Sequence, residues 1–429
     1  MPVKGLLAEL EWRGLVHQVT DPALARLLDE RTVTAYGGFD PTSDSLTIGN
    51  LMLIVSLMRV QRAGHRPIAL AGGGTGMIGD PSGRTDERQL LTPDVLAANL
   101  EAIRAQLSRF LDFGADAGEA RAELLDNGQW LGTVGLLEFL RDVGKHFTVN
   151  AMVAKDSVRA RFAERDRGIS FTEFSYMLLQ AYDFWYLHTH HGCDLQLGGS
   201  DQWGNITAGI DLIRRRNQTT AYGLTFPLVT RADGVKFGKS EGVNIWLDPA
   251  RTSPYALYQF LVRTEDTMVG TYLRYFTFRT GEEIAALDEA TRSHPERRDA
   301  QRALAADVVT LVHGAGERER AERASAALFT DDIAGLDEST LLAVMADAPS
   351  SELSRAALEG DGIEVIELLV RTGLEASRGS ARGMVAQGGI YLNNQRVGAA
   401  DERVGRRHLL HDRYLVLRRG RAVHVVRVG

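Results

Sequence analysis

Val33 to Arg62 reads V-T-A-Y-G-G-F-D-P-T-S-D-S-L-T-I-G-N-L-M-L-I-V-S-L-M-R-V-Q-R, and this stretch decides the fold. Val33 to Tyr36 has the pattern of a short buried strand. Gly37 and Gly38 permit tight turning and close backbone approach, and Pro41 holds Asp40 extended. From Leu46 the spacing becomes helical, with Ile48, Leu51, Val55 and Met58 on one face. A strand that passes through a Gly/Asp/Thr/Ser-rich turn into a helix start offers unpaired N–H groups and a positive dipole end to an anion. An ordinary junction capped by Ser45 or Thr47 has the same pattern, so the rest of the chain must decide.

The alternation continues outward. Pro67–Ala71, Ala122–Asp126 and Leu195–Leu197 read as further strands. Pro93–Leu111, Thr133–Val143, Ser170–His188 and a segment ending near Arg216 read as helices, with Leu6–Arg13 and Pro22–Arg31 as short helices before them. Strands alternating with helices predict an α/β fold with a doubly wound parallel sheet. In such sheets ligands lie beyond the strand carboxyl ends, where Tyr36, Gly72, Asn127 and Gly198 fall. Thr252 to about Phe329 is helical in pattern. Thr330–Glu359 is weakly patterned and reads as a linker. Gly362–Leu374 and Arg378–Gln387 read as a helix pair, followed by strands at Tyr414–Leu417 and Val423–Val428.

At 429 residues the chain has room for two to four domains. It lacks an apolar run of about 18 residues, the length of a membrane helix, and its N-terminus lacks a secretory core. The single cysteine, Cys193, excludes an internal disulfide framework and fits a reducing cytoplasm. Net charge is −7, unevenly spread: Arg371–Gly429 holds twelve arginines against Glu375, Asp401, Glu402 and Asp412, so that tail carries +8 and the remainder −15. A basic tail on an acidic body points to the tail as the part that meets a polyanion.

Three motifs are set aside. Gly74–Gly79 matches a dinucleotide pattern, but Asp80-Pro-Ser-Gly83 follows where a helix should open. Gly238-Lys-Ser240 resembles the end of a phosphate loop whose first glycine position is Asp233. His188, His190, His191 and Cys193 cluster like metal ligands, yet histidines suit a helix C-terminus, and no metal site is expected.

The helix Ser170–His188 is more informative. Phe171, Phe174, Leu178, Ala181 and Trp185 share one face, and Tyr176, Gln180 and Asp183 lie opposite. Apolar neighbours flank that polar stripe, so it too is expected to be buried, and buried polar groups need partners. A cavity holding a small ligand with a hydroxyl or an ammonium would supply them. Asp201, after Gly198-Gly-Ser200 at a strand end, could accept from ribose hydroxyls. Lys236-Phe-Gly-Lys239-Ser240 could clamp nucleotide phosphates, although a solvated turn has the same composition.

Taken together, these residues resemble a known family. Pro41-Thr-Ser-Asp-Ser-Leu-Thr47-Ile-Gly-Asn50 is similar to the H-I-G-H element of class I aminoacyl-tRNA synthetases, and Lys236–Ser240 to their K-M-S-K-S loop. With Tyr36–Thr42, Gly79–Gly83, Tyr176–Asp183 and Gly198–Asn205, the chain resembles the bacterial tyrosyl-tRNA synthetases over nearly its whole length. The resemblance implies that Tyr36 and Asp183 hold the substrate phenol, and that Tyr176, Gln180 and Asp80, with Gln202, hold its amino end. It places Asp40, Thr47, Gly49, Asn50, Asp201 and Lys239 on ATP. Catalysis falls to Thr42, Lys236, Lys239 and Ser240, with Arg84 and Arg88 assisting. The positions of the family's two histidines are Thr47 and Asn50 here, which puts the weight on Thr42 and the lysines. The basic tail, through Arg378, Arg382 and Arg396, would bind tRNA.

The implied activity is ligation of L-tyrosine to tRNA(Tyr) with ATP and Mg²⁺, with no tightly bound cofactor, by a cytoplasmic homodimer that has no membrane segment. A tryptophan enzyme and an inactive RNA-binding protein of the same fold are the alternatives; Asp183 opposite Tyr36 speaks against the first. The expected organisation is a Rossmann-like catalytic domain over 1–222 with a dimer-forming insertion, a mobile lysine loop and linker over 223–250, and a helical domain over 251–330. A linker over 331–358 and a small α+β RNA-binding domain over 359–429 follow.

Overall fold

The computed structural model describes residues 5–82, 90–155, 158–159, 169–235, 237–240, 243–327, 331–345, 348–420 and 422–429. The chain divides into two compact units. The first is Met1–Thr252 with Thr264–Leu304, and the second is Ser253–Arg263 with Ala305–Gly429.

The first unit is built on a six-stranded sheet. Its strands are β1 (Gln18–Val19), β2 (Thr34–Phe39), β3 (Arg66–Ala71), β4 (Glu123–Asp126), β5 (Cys193–Gly199) and β6 (Tyr222–Phe226), in the order β1-β6-β5-β2-β3-β4. All neighbouring pairs are parallel except β1 with β6. The chain steps outward from β2 through β3 to β4, then returns to β5 on the other flank of β2. The reversal makes the β2–β5 boundary the switch point at which a crevice opens above the sheet. This is the doubly wound sheet that the sequence predicts.

Four helices matter for the site: α1 (Leu51–Arg62), α2 (Pro93–Leu107), α3 (Phe171–His191) and α4 (Trp203–Asn217). Helix α3 begins at Ser170, whose hydroxyl accepts from Glu173 N–H, and ends at Gly192 with φ 62°, the left-handed cap that glycine adopts without strain. One side of α3 packs Met177, Leu178 and Ala181 against Ala208 and Leu212 of α4. Another packs Phe184 and Leu187 with Tyr36, Ile68 and Leu70 of the sheet. Away from its exposed ends at Phe171 and Thr189–His190, the helix is covered from several directions, so Tyr176 and Asp183 are buried and Gln180 half-buried.

Helix α1 starts at Leu51, later than its apolar spacing predicts. Ile48 N–H donates to the Ile245 carbonyl (2.9 Å) and Leu247 N–H to the Leu46 carbonyl (2.8 Å), so 46–48 is held extended and only one 3₁₀ turn, Ile48–Asn50, precedes the helix. Nor is α1 apolar on one face alone. Its Arg59 side chain is 1% exposed. The guanidinium donates to the carbonyls of Arg274 (3.2 Å), Tyr275 (3.0 Å) and Thr277 (2.7 Å). Arg13 donates to the carbonyls of Arg274, Thr277 and Arg279. Both arginines thus serve acceptors that the helix Asp266–Phe276 leaves unpaired at its C-terminal end. Burial, then the neighbouring Arg13, brings the Arg59 pKa down to about 9, still high enough to keep it charged near neutrality.

The second unit carries helices Pro254–Val262 and Ala315–Ala327, tied by Gln259 Nε2 donating to Ser325 Oγ (2.9 Å). It ends in a five-stranded sheet ordered Gln395–Arg396, Ile390–Leu392, Tyr414–Arg419, Ala422–Val428 and Ser350–Leu353. The predicted helix pair is present as Val365–Arg371 and Arg378–Ala386. Its apolar sides join Leu415, Leu417 and Val426 in one core. The stretch 331–358, expected to be a linker, is not one. It forms the helix Glu338–Val344 and the strand Ser350–Leu353, which pairs parallel with Val425–Val428. Ile333, Leu341 and Met345 are buried against Tyr414, Val416 and Val425. The strand reads S-S-E-L and has no apolar alternation; main-chain pairing holds it. No described helix is long and apolar enough to cross a membrane.

Arg59→Met removes three donors, one of them to the buried Thr277 carbonyl. It should lower the unfolding free energy by roughly 3 kcal/mol, read as a reduced denaturant midpoint at unchanged slope. A midpoint equal to wild type would show that those carbonyls find other partners.

Candidate active site

The polar residues of α3 meet the strand ends. Asp183, 1% exposed, accepts at one oxygen from Asn127 Nδ2 (2.8 Å) and at the other from Trp130 Nε1 (2.7 Å). Asn127 directly follows β4, and its side-chain oxygen accepts from Gly74 N–H (2.7 Å). Its amide also donates to Thr75 Oγ1 (2.9 Å), which donates in turn to Asp40 Oδ1 (2.8 Å). Tyr176, two turns earlier on the same face of α3, donates to Asp40 Oδ2 (2.8 Å). Asp40, just past β2, is thereby joined to Asp183 through two side chains, Thr75 and Asn127.

A second set of bonds runs toward β5. Gln180 Nε2 donates to Gln202 Oε1 (3.1 Å), and Gln202 Nε2 donates to Asp80 Oδ2 (2.6 Å). Asn205, on α4, donates to both Gln180 Oε1 (3.0 Å) and Gln202 Oε1 (3.1 Å). Asp80 Oδ1 accepts from Ser82 N–H (2.9 Å), which fixes the Asp-Pro-Ser turn. Tyr176, Gln180 and Asp183 of α3 are thus brought together with Asp80 and Gln202.

The electrostatics follow from burial. Desolvation raises the Asp183 pKa to about 7, against the pull of the Asn127 and Trp130 bonds. Two neutral donors do not replace the water that a carboxylate loses. Tyr36 is 1% exposed, and burial and then the Asp183 charge push its phenol well above the usual value. Its hydroxyl has no hydrogen-bond partner among the described residues. An orphaned buried hydroxyl beside a buried carboxylate is an arrangement that a hydroxyl-bearing ligand would complete, accepting from one and donating to the other.

The glycine run 72–76 serves close packing. A Cβ on Gly72 would strike Asp40 Oδ1 and Thr75 Oγ1, and one on Gly73 would strike Asp126. These glycines let β3's exit approach the carboxylates. Within the dinucleotide-like pattern itself, a Cβ on Gly74 would meet Leu131, one on Gly76 would meet Leu96 and Pro41, and Gly79 has φ 84°, so packing and turning account for those glycines. The histidines are likewise engaged. His188 Nδ1 contacts the Cys193 carbonyl and its Nε2 meets Thr219 Oγ1 (both 2.9 Å), while His190 bonds the Tyr186 carbonyl (3.0 Å) and His191 bonds Glu123 (2.9 Å).

The two signature turns lie together although they are distant in sequence. Thr47 N–H (2.9 Å) and Oγ1 (3.0 Å) both bond Asn50 Oδ1. A backbone N–H only donates, so the Asn50 atom facing it is the oxygen and its NH₂ points away. Lys239–Ser240 pairs antiparallel with Val243–Asn244, and Gly238, at φ 87°, would clash with Ile48 if it bore a Cβ. Thr42 is exposed and Asp201 half-buried at their strand ends. Lys236, Arg84 and Arg88 lie outside the described residues. In the second unit Arg378, Arg382 and Arg396 are all exposed, and Arg378 is paired with Glu364 at 2.7 Å.

Sequence reading missed Asn127 and Trp130 as supports of Asp183. The available signal was two donors three residues apart after a strand end. Trp130 is itself held by Tyr186, stacked at 4.4 Å and 14°.

A family model described as tRNA synthetases class I (W and Y) matches residues 28–330, and one for the C-terminal domain of tyrosine–tRNA ligases matches residues 343–426. The tyrosine–tRNA ligase of Roseiflexus castenholzii is 55% identical over 99% of both chains, and that of Bacillus caldotenax is 51% identical over 97% of both. A C-terminally truncated mitochondrial tyrosyl-tRNA synthetase from Aspergillus nidulans superimposes with a TM-score of 0.69 at 35% identity, over 76% of this chain and 94% of that one. The chain belongs to the class I tRNA synthetases and, within them, to the tyrosine–tRNA ligases.

Proposed function

We infer that the chain activates L-tyrosine with ATP to tyrosyl-adenylate and pyrophosphate, then transfers the tyrosyl group to the 3′-terminal adenosine of tRNA(Tyr). The observation that carries this reading is the Tyr36 hydroxyl, buried and unpartnered among the described residues, next to the carboxylate that Asn127 and Trp130 hold in place. The substrate phenol donates to Asp183 and accepts from Tyr36. Its ammonium lies among Tyr176, Gln180, Asp80 and Gln202. Phenylalanine leaves the Tyr36 hydroxyl unpaired and gives Asp183 no further donor, a basis for discrimination of which tyrosine enzymes are the standard example.

In the first step the tyrosine carboxylate attacks the α-phosphorus of ATP. A carboxyl O–P bond forms, the bond to the pyrophosphate oxygen breaks, and pyrophosphate leaves with that electron pair. No proton moves, so the protein's part is positioning and charge neutralisation. Asp40, Thr47, Gly49, Asn50 and Asp201 take the nucleotide, and Thr42, Lys236, Lys239 and Ser240 meet the phosphates. Mg²⁺ enters with ATP as part of the substrate. In the second step a hydroxyl oxygen of the terminal adenosine bonds the acyl carbon, the acyl C–O bond to the phosphate breaks, and AMP leaves with that electron pair and takes up the hydroxyl proton. The basic C-terminal module, through Arg378, Arg382 and Arg396, holds the tRNA. The protein acts as a cytoplasmic homodimer.

Tyrosine-dependent ATP–pyrophosphate exchange tests the reading directly, and its absence in purified protein would end it. Asp183→Ala should bring the kcat/KM values for tyrosine and phenylalanine together while the fold persists; retained discrimination would place the phenol elsewhere.

A pH dependence follows from the Asp183 pKa of about 7. The empty site holds a proton below that value, and a donating phenol favours its loss. The tyrosine Kd should therefore fall by up to about tenfold per unit as pH rises from 5.5 to 7, then level off. An opposite slope would contradict the assignment. In stability the sign is reversed: between about pH 4 and 7 the folded state binds the extra proton, so this group's contribution declines as pH rises. A chain ending at residue 330, before the segment that packs with the C-terminal strands, should exchange pyrophosphate normally but charge tRNA on the order of a hundredfold less well; equal charging would remove the RNA role from the tail.

A further inference from the structure

Phe237, the second residue of the lysine pentapeptide, is 7% exposed although its neighbours are polar. Its ring centroid lies 4.4 Å from Tyr272 and 5.5 Å from Phe276, and it stacks on Phe276 at 19°. Both partners belong to the helix Asp266–Phe276. Phe237 N–H donates to the Val229 carbonyl (2.9 Å), and Tyr272 Oη donates to the Thr230 carbonyl (2.8 Å). The segment entering the pentapeptide is thus fastened to that helix through its backbone and through an aromatic ring.

The next residue is fastened on the other side. Gly238 has φ 87° and lies so close to Ile48 that no Cβ fits. Its carbonyl accepts from Ile245 N–H (2.9 Å), and the Ile245 carbonyl accepts from Ile48 N–H (2.9 Å). One residue touches the aromatic seat and the following one touches the turn that opens α1. Helix α1 then closes the figure, because Arg59 on its last turn caps the helix that bears the seat. One rigid helix therefore sets both the turn facing the nucleotide and, through three carbonyls, the height of the seat.

We propose that Phe237 and Arg59 are positioning residues for tyrosine activation, which fix where the backbone of 237–240 crosses the Ile48–Asn50 turn. Neither touches substrate. They act by placing the groups that meet the phosphates, where an error of an ångström is expensive in rate. The proposal rests on the ligase reading of this site. It predicts a rate effect without a tyrosine-binding effect, since the amino-acid pocket is built from α3, β2 and the β4 exit.

The full-length protein tests it through Phe237→Ala, Phe237→Met and Arg59→Lys, assayed well below their melting temperatures. In Phe237→Ala, kcat for exchange should fall on the order of a hundredfold while the tyrosine Kd stays within about twofold. Phe237→Met, which refills the seat, should recover most of the rate. Arg59→Lys, which keeps the charge but not the planar fork, should lie between. Trypsin should cut after Lys236 and Lys239 about tenfold faster in Phe237→Ala than in wild type, a readout independent of activity. A wild-type kcat in Phe237→Ala, an equal loss of tyrosine affinity, or an unchanged cleavage rate would each overturn the proposal. If the wild type gives no exchange, the ligase reading fails instead, and the cleavage rate still decides whether the seat holds the segment.

Discussion

A carboxylate shut away from water governs this site. Asp183 keeps two hydrogen bonds in exchange for a full hydration shell, and the shortfall pushes its pKa up to about 7. The site therefore favours a ligand that donates a hydrogen bond there. Tyr36 adds the complementary demand, a donor without an acceptor among the described residues. Unpaired polar groups discriminate more sharply than shape does. On the proposed reading they would select a phenol over a bare ring because they are buried, and the helix that buries them lies at the switch point of the sheet.

The rest of the first unit is organised around keeping that arrangement rigid. Asp40, Thr75 and Asn127 connect the exits of β2, β3 and β4, so that no strand end moves alone. The glycines at 72 and 73 allow this because side chains there would separate the carboxylates from the backbone. On the side of the two signature turns, residues 46–48 and 245–247 pair across about two hundred residues of sequence, and Arg59 ties the end of α1 to the helix beyond the lysine segment. A buried guanidinium whose neighbours are mostly carbonyls costs desolvation, and its use here fits a structural joint more than a source of stability.

Much of this was legible in the chain itself. A polar stripe at spacings of four and three on a helix that is otherwise apolar all round has few readings, and strand exits in a doubly wound sheet mark where to look. What stayed hidden depended on long-range contacts. Asn127 and Trp130 acquire their role only when α3, more than fifty residues on, brings Asp183 to them. Arg59 reads as a basic residue at a helix C-terminus, a common surface feature, yet it is buried because its partners lie beyond residue 270. The true start of α1 is set by Ile245 and Leu247, which apolar spacing cannot register. Ser350–Leu353 escaped because an edge strand held by main-chain bonds needs no alternation.

The most direct measurement is a crystal structure of the full chain soaked with L-tyrosine. The account predicts the phenolic oxygen about 2.7–3.2 Å from both Tyr36 Oη and an Asp183 oxygen, with Asn127 and Trp130 still bonded to Asp183 and the amino group among Tyr176, Gln180 and Asp80. A ring bound with its hydroxyl away from Tyr36 and Asp183, or an Asp183 turned toward solvent, would contradict it.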